Sequence, residues 1–414
     1  MTRDLDQGGL TALLDRPGVR QAFAALDEPG AETRLIGGCV RDALLGIAAA
    51  DIDLATTLLP DAVLARARAA GLKAVPTGIE HGTITVITGD GPIEVTTLRE
   101  DVETDGRHAV VRFGSDFAKD AERRDFTVNA LSLDRDGRLH DTTEGLADLR
   151  NGRVRFIGDP ATRIREDALR ILRFFRFHAR FGSGPPEAAA LAACVAARDS
   201  LGRLSRERIR DEFLKLLAAS GGPAMVTILS GTGLLARITG GVGELGRLER
   251  AASAKLTPVM RLAALAVGAR QDADRLRDRL RLSKQEHGQL IAYADALSDL
   301  HGRATIDASS TRALAAEHGL TLLTETLAIL AAEPRPHLME GAQQVLLALG
   351  GAGGPPSFPL AGADLVAAGI PPGPAIGRAL AAARRLWLEH GCPSSAEERA
   401  TLLDHALHHA RAHA

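Results

Sequence analysis

No run in this chain approaches the roughly 18–20 consecutive apolar residues that a membrane span requires. The first residues, MTRDLDQGGL, contain no apolar signal core either. These absences argue against a membrane protein and against secretion. Cysteine is sparse: Cys39, Cys194 and Cys392 lie far apart, without metal-ligand spacing, as expected of reduced thiols in a cytoplasmic protein. Lysine supplies only five of the 50 basic residues, so arginine carries almost all the positive charge. The net charge of −2 gives by itself no sign of a polyanionic partner. No internal period suggests a solenoid, and 414 residues are too many for one core, so roughly two to four domains are expected.

The distribution of charge is more telling than its sum. Nine arginines fall between Arg150 and Phe181 against three acids, Asp159, Glu166 and Asp167. From Arg270 to Lys284, six basic residues face three aspartates. Such patches mark where a phosphate backbone can be held. The second patch reads equally well as a solvated helix face in an arginine-rich protein, whereas the first coincides with other chemistry.

Residues 1–29 read as one or two short amphipathic helices punctuated by Pro17 and Pro29. From about 33 to 141 the pattern is mixed. Strands are predicted at 33–36, 51–56, 73–76, 83–88, 93–98 and 130–134, and helices at 40–46 and 61–70. The segment from Arg99 to Ala118, with Asp105-Gly106 at its centre, has no clean periodicity and reads as a mobile loop. Beyond about 160 strand signals nearly vanish, and breaks at Gly182–Pro186, Gly221–Pro223 and Gly350–Pro359 divide a helical remainder. The fold class is therefore α+β, a small mixed-sheet head followed by helical modules. The terminal pairs Asp404-His405 and His408-His409 lack upstream partners in helical register and read as part of a polar last helix.

Chemistry is concentrated in three places. In LIGGCVRDALLGIAAADIDLAT, residues 35–56, Asp51 and Asp53 alternate so that an extended strand puts both carboxylates on one face. Two like charges that close call for a cation, and a divalent ion, Mg²⁺, is the expected cofactor. A metal pair there, about 3.5–4 Å apart, would activate an attacking hydroxyl and stabilise a leaving phosphate. The Gly37-Gly38 turn ahead of them offers backbone N–H groups to a phosphate. Glu94, in IEVTTL, is either a third carboxylate on a neighbouring strand or a solvent-facing residue.

The second place is RRDFTVNAL, Arg123 to Leu131, where paired arginines suit a triphosphate and Asp125 and Asn129 suit a ribose. The third is RIREDALRILRFFRFHARF, Arg163 to Phe181. Read as one helix, it aligns Asp167, Arg170, Arg173 and Arg176 along a slowly rotating face, with Leu169, Leu172 and Phe175 opposite as core. An Asp and an Arg one turn apart present acceptor and donor to the edge of a base. A plain surface ion pair is the alternative for those two.

In order and spacing these motifs resemble the class II tRNA nucleotidyltransferases, the CCA-adding enzymes, which have close relatives among bacterial poly(A) polymerases. GGxVRDxLLGxxxxDxD is met by Gly37 through Asp53, RRDFTxNA by Arg123 through Ala130, and EDxxRxxR by Glu166 through Arg173. LSRERIRDEF, Leu204 to Phe213, resembles the motif bracing the neck helices, and Gly362 to Leu380 the tail element. The resemblance implies that Asp51 and Asp53 bind metal, and that Gly37, Gly38, Arg41 and Asp42 belong to the nucleotide site. It further implies that Arg124, Arg173 and Arg176 contact the triphosphate, while Asp167 and Arg170 pair with CTP or ATP. Asp125 and Asn129 complete that site. The implied organisation is an N-terminal extension (1–29), a nucleotidyltransferase head (30–141), an all-α neck (142–220), a body (221–348) and a tail (349–414). The helical modules would hold tRNA by shape and phosphate contacts. Two positions depart from the pattern, the IAAA at 47–50 and Leu204, and neither touches the chemistry.

The implied reaction is metal-dependent, template-independent addition of C, C and A to the tRNA 3′ end, with release of pyrophosphate. A poly(A) polymerase or an A-only enzyme is the nearest alternative. PTGIEHGTITVI and the presence of segment 99–118 favour full CCA addition. An inert RNA-binding protein on the same scaffold is the alternative of another class, and the intact acidic and arginine motifs oppose it.

Overall fold

The computed structural model describes residues 3–104, 109–352 and 354–412. The chain forms two compact units, Met1–Arg237 and Ile238–Ala414. Unit one is built on strands β1 (Thr33–Ile36), β2 (Asp53–Thr56), β3 (Lys73–Gly78), β4 (Thr83–Thr88) and β5 (Gly91–Thr97), then β6 (Arg99–Thr104), β7 (Ala109–Phe113), β8 (Ser132–Asp134) and β9 (Leu139–His140). Seven of them make one mixed sheet in the order β3-β4-β5-β2-β1-β8-β9. Only the β2–β5 pair is parallel, and its register sets Asp53 directly opposite Glu94.

Alternation along these strands gives the sheet two unlike faces. Leu35, Leu54, Ile84, Val86, Ile93 and Val95 are buried on one face. That face is covered by helices Pro60–Ala69 and Pro17–Ala25, and helix Gln7–Leu14 packs beside the latter. The N-terminal segment is thus part of the head's core. Helix Gln7–Leu14 crosses helix Gly38–Leu44 so closely that a side chain at Gly9 would run into the carbonyl oxygen of Ala43. The other face, carrying Asp53, Glu94, Thr83, Thr85 and Thr96, is polar and faces the chemistry.

Two expectations change. The segment predicted as a mobile loop forms an antiparallel ribbon of β6 and β7, with Arg99 opposite Phe113. Its centre, residues 105–108, lies outside the described residues. Cross-strand pairing, which periodicity over so short a span does not reveal, is what orders its two arms. The single helix predicted over 163–181 is two helices, Pro160–Glu166 and Arg170–Phe181. They part at Asp167, which is extended at φ −149° and ψ 109°. Its carboxylate accepts from the Leu169 N–H at 3.0 Å, a local bond that competes with the helical one.

The second of these helices is the central strut of unit one. Phe174, Phe175, Phe177 and Phe181 are all buried. Phe126 and Phe156, 4.7 Å apart, pack against Phe174 and Phe177 at centroid distances of 5.3 to 6.3 Å, joining the strut to the end of the head. Burying rings of this size contributes roughly 2–3 kcal/mol each, so the cluster fixes the strut firmly. Helix Arg206–Ala218, capped by Ser205, packs alongside.

Unit two is helical apart from a two-residue parallel pairing of Thr305–Ile306 with His337–Leu338. Arg247 and Arg250 both hold Glu333, tying helix Leu245–Ser253 to the end of helix Leu320–Leu330. The last helices close on Trp387, whose indole N–H donates to the Pro393 carbonyl at 2.9 Å. The terminal histidines lie on helix Ala396–Ala412. Among the described residues, no single helix is long and apolar enough to cross a membrane. Helices Ala308–His318 and Leu320–Leu330 reach that length only as a pair, and the pair is bent by 119°.

Candidate active site

At the end of β1 the chain turns through Gly37, with φ +69°, into helix Gly38–Leu44. A side chain there would be strained and would sit 2.9 Å from Nη1 of Arg124, so glycine is needed on both counts. The helix sends Arg41 inward. Its guanidinium lies 4.3 Å from the Phe181 ring centroid and donates to Asp42 (2.9 Å) and to the Asn129 side-chain oxygen. Burial lowers its pKa, an effect that the neighbouring Asp42 carboxylate partly offsets.

Across the turn, β2 presents Asp53, and Asp51 stands exposed just before it. Among the described residues no hydrogen bond or ion pair ends on the Asp53 carboxylate. Burial, reinforced by Glu94 and Asp51 and only partly offset by Arg124, pushes its pKa up to about 6. Among the described residues no three or more histidine, cysteine or carboxylate side chains form a ready cage, so Glu94 does not complete one. The group still suits a divalent ion. Its excess negative charge is the destabilised state that a cation relieves, and Mg²⁺ commonly rests on one or two carboxylates, completing its shell with water and substrate phosphates.

The cleft that holds Asp51 and Asp53 also holds a set of anchored arginines. Asp125 accepts from Arg173 Nε at 2.6 Å, from the Asn129 amide at 3.0 Å and from the Phe126 N–H at 2.9 Å. Burial alone would raise the Asp125 pKa, but the Arg173 charge and these bonds hold it below the usual carboxylate range. The buried Glu212 accepts from Arg176 Nε at 2.5 Å and lies 3.8 Å from Arg173. Asp120 holds Arg123 and Arg124. Asp167 pairs with Arg208 at 2.8 Å. Arg170 is held by Glu166 and by the Arg163 carbonyl. Asp167 and Arg170, predicted to act together, therefore make no side-chain bond to each other here.

One cleft of about 580 Å³ gathers these groups. Gly37, Gly38, Arg41, Asp51 and Asp53 line it from the head. Arg124, Asp125 and Asn129 line it from the next motif, Asp167 from the break between the two helices, and Arg170, Arg173 and Arg176 from the strut. Two predicted residues stand apart. Asp42 lies beneath the cleft, bonded to Arg41 and Arg180, where it positions rather than contacts. Glu94 borders the carboxylates on the sheet without lining the cleft. Arg123, expected as one of the paired arginines, lines the cleft too, and so does Leu169, which was expected in the core opposite. The sequence did not single out Phe177 or Arg208, which also line it, nor Asp120 and Glu212, which anchor its arginines. Arg208 and Glu212 are one turn apart in LSRERIRDEF, a spacing that was the available signal.

The arrangement is that of a nucleotidyltransferase of the polymerase type. The model of the Poly A polymerase head domain matches residues 33–155, and that of the probable RNA and SrmB-binding site of polymerase A matches residues 186–239. The mitochondrial CCA tRNA nucleotidyltransferase 1 of Danio rerio is 34% identical over 379 residues, covering 89% of this chain and 86% of that protein. The CCA-adding enzyme of Limosilactobacillus fermentum is 33% identical over 370 residues, covering 87% and 90%. Among solved structures, the Bacillus stearothermophilus CCA-adding enzyme in complex with CTP superposes with a TM-score of 0.71 at 26% identity, over 94% of this chain and 98% of that one. The chain belongs to the CCA-adding enzyme family of tRNA nucleotidyltransferases.

Proposed function

We infer that this protein adds C, C and A to the 3′ end of tRNA, using CTP and ATP. The observation that carries the reading is the gathering of two charge sets in one cleft, the carboxylates Asp51 and Asp53 and the arginines Arg124, Arg173 and Arg176. In the reaction the tRNA 3′-oxygen forms a bond to the α-phosphorus. The bond from that phosphorus to the bridging oxygen breaks, pyrophosphate leaves, and the hydroxyl proton passes to solvent.

Each side chain has a distinct task. Arg124, Arg173 and Arg176, already fixed by Asp120, Asp125 and Glu212, meet the triphosphate without having to be ordered first. Asn129 and Asp125 face the ribose. Asp167 and Arg170 exchange their present partners, Arg208 and Glu166, for the base edge, where carboxylate and guanidinium accept from and donate to cytosine or adenine. Arg41 and Asp42 brace the glycine turn. Enzymes of this family depend on a divalent metal, and Asp51 and Asp53 would hold Mg²⁺, which when bound supplies Lewis-acid activation of the hydroxyl and charge neutralisation at the phosphates. Glu94 raises the negative field at Asp53 from the neighbouring strand.

The five-part division into extension, head, neck, body and tail remains our reading of the organisation. We place the enzyme in the cytoplasm, a reducing compartment in keeping with three buried, unpaired cysteines. The deciding experiment supplies tRNA that ends before CCA with CTP alone, with ATP alone and with both. Ordered addition of two C and then one A is expected; absence of CTP incorporation would overturn the reading in favour of an A-only or poly(A) activity.

A further inference from the structure

Five hydrogen bonds join six side chains of the head and the strut into one course that leaves the strut and returns to it. It starts at Arg173, whose Nε donates to Asp125 at 2.6 Å. The Asn129 amide N–H donates to the other oxygen of Asp125 at 3.0 Å, and the Asn129 side-chain oxygen accepts from Arg41. Arg41 Nε donates to Asp42 at 2.9 Å. The second oxygen of Asp42 accepts from Arg180 at 3.1 Å. Arg180 lies on the same helix as Arg173, seven residues further on, which is two turns or about 10 Å. The strut therefore grips the head at two points. The four side chains between them, Asp125, Asn129, Arg41 and Asp42, are all buried.

This course fixes the Asn129 amide. A guanidinium can only donate and a carboxylate can only accept, so one orientation alone satisfies both Arg41 and Asp125. Whether that orientation persists is decided at the far end. Asp42 holds Arg41 and Arg180, whose guanidinium carbons lie 4.3 and 4.8 Å from the centre of the same Phe181 ring. Without Arg180, the buried Asp42 would keep Arg41 as its cation and have an oxygen left over. A carboxylate is a stronger acceptor than an amide oxygen, so the Arg41 guanidinium would turn from Asn129 toward Asp42. Asn129 would then lose the bond that orients it. Arg180 does not itself line the cleft, so any effect it has on the nucleotide passes through this course.

We propose that Arg180 is a positioning residue for the nucleotide's ribose, acting through Asp42 and Arg41 on Asn129. The proposal rests on the terminal-addition reading above and deepens it by naming what holds the ribose contact in place. The test uses Arg180→Met, which keeps the stem over Phe181, together with Asp42→Asn and the double variant, all on the full chain. The Arg180 side chain is 40% exposed, so its replacement leaves the fold intact. Terminal addition is measured with CTP, dCTP and ATP on tRNA ending before CCA. The wild type should prefer CTP to dCTP, and Arg180→Met should reduce that ratio of kcat/KM values roughly threefold or more. The ratio of CTP to ATP should stay at the wild-type value, a separation that general loosening of the protein would not produce. The double variant should be no worse than the poorer single one, because both changes break the same course. A wild type that uses CTP and dCTP alike would overturn the proposal. So would equal loss with both nucleotides in Arg180→Met, or additive losses in the double variant. If the wild type takes ATP and no CTP, only the function stated above fails, and the ratio of ATP to dATP then decides the role of Arg180.

Discussion

Asp53→Asn is expected to make the metal-free protein more stable while abolishing catalysis. Asp53 sits half-buried beside Asp51 and Glu94, with no hydrogen bond ending on its carboxylate among the described residues, and its pKa rises from the ordinary 3.8 to about 6. At 1.36 kcal/mol per pH unit, holding that group ionised in the fold costs about 3 kcal/mol. Residual solvent screening reduces the expected figure to about 1–2 kcal/mol. The sign follows from the direction of the change. With the folded pKa above the unfolded one, the stabilising proton is in place below about pH 4 and is lost as pH rises through about 6. The variant should therefore exceed wild type by about 1–2 kcal/mol at pH 7.5 in chelator, a few degrees in Tm, and lose that advantage at pH 4. Urea unfolding followed by far-ultraviolet circular dichroism at the two pH values measures this. Adding millimolar Mg²⁺ should stabilise wild type and leave the variant unchanged. A variant less stable than wild type at pH 7.5, or equally favoured at both pH values, would refute the electrostatic argument.

Other outcomes follow from the same geometry. Glu212→Ala leaves Arg176 without its partner and Arg173 with one fewer, and should cost about 2–4 kcal/mol of stability and raise the KM of CTP and ATP together, read by chemical denaturation and steady-state kinetics. Asp167→Ala and Arg170→Ala should erode the choice between CTP and ATP more than nucleotide affinity. Equal loss of both, in competition assays with mixed nucleotides, would count against base reading. Gly37→Ala forces a β-carbon at φ +69° against Arg124, and should cost about 1–2 kcal/mol and reduce kcat sharply, whereas Gly30→Ala, also at positive φ but with open space around it, should cost stability alone. Mg²⁺ affinity should fall as pH drops through about 6, because a proton on Asp53 competes with the metal; a flat metal-binding isotherm between pH 5 and 8 would argue otherwise.

The strands of the head were legible because alternation of apolar and polar residues survives wherever one face of a sheet is covered. Thr83–Thr88 is the clearest case, matching its predicted bounds. Helical periodicity identified the strut but not its interruption at Asp167. The competing bond to the Leu169 N–H involves residues that read as good helix material, so only the folded backbone reveals which bond won. The ribbon of β6 and β7 escaped for a related reason, since two short charged strands define each other by pairing and not by pattern.

By itself the sequence supplied the candidate groups for the chemistry. Acids two apart, paired arginines and a turn that tolerates positive φ are local properties written in residue type and spacing. Tertiary structure alone decided which of those groups meet. It set Glu94 opposite Asp53, 41 residues earlier, across a parallel pair of strands, and it put Asp42 beneath the cleft rather than in it. It also drew Asp120, Arg208 and Glu212 in as holders of the reactive side chains. Register, burial and long-range pairing arise from packing the whole unit, and no single stretch of the chain contains them.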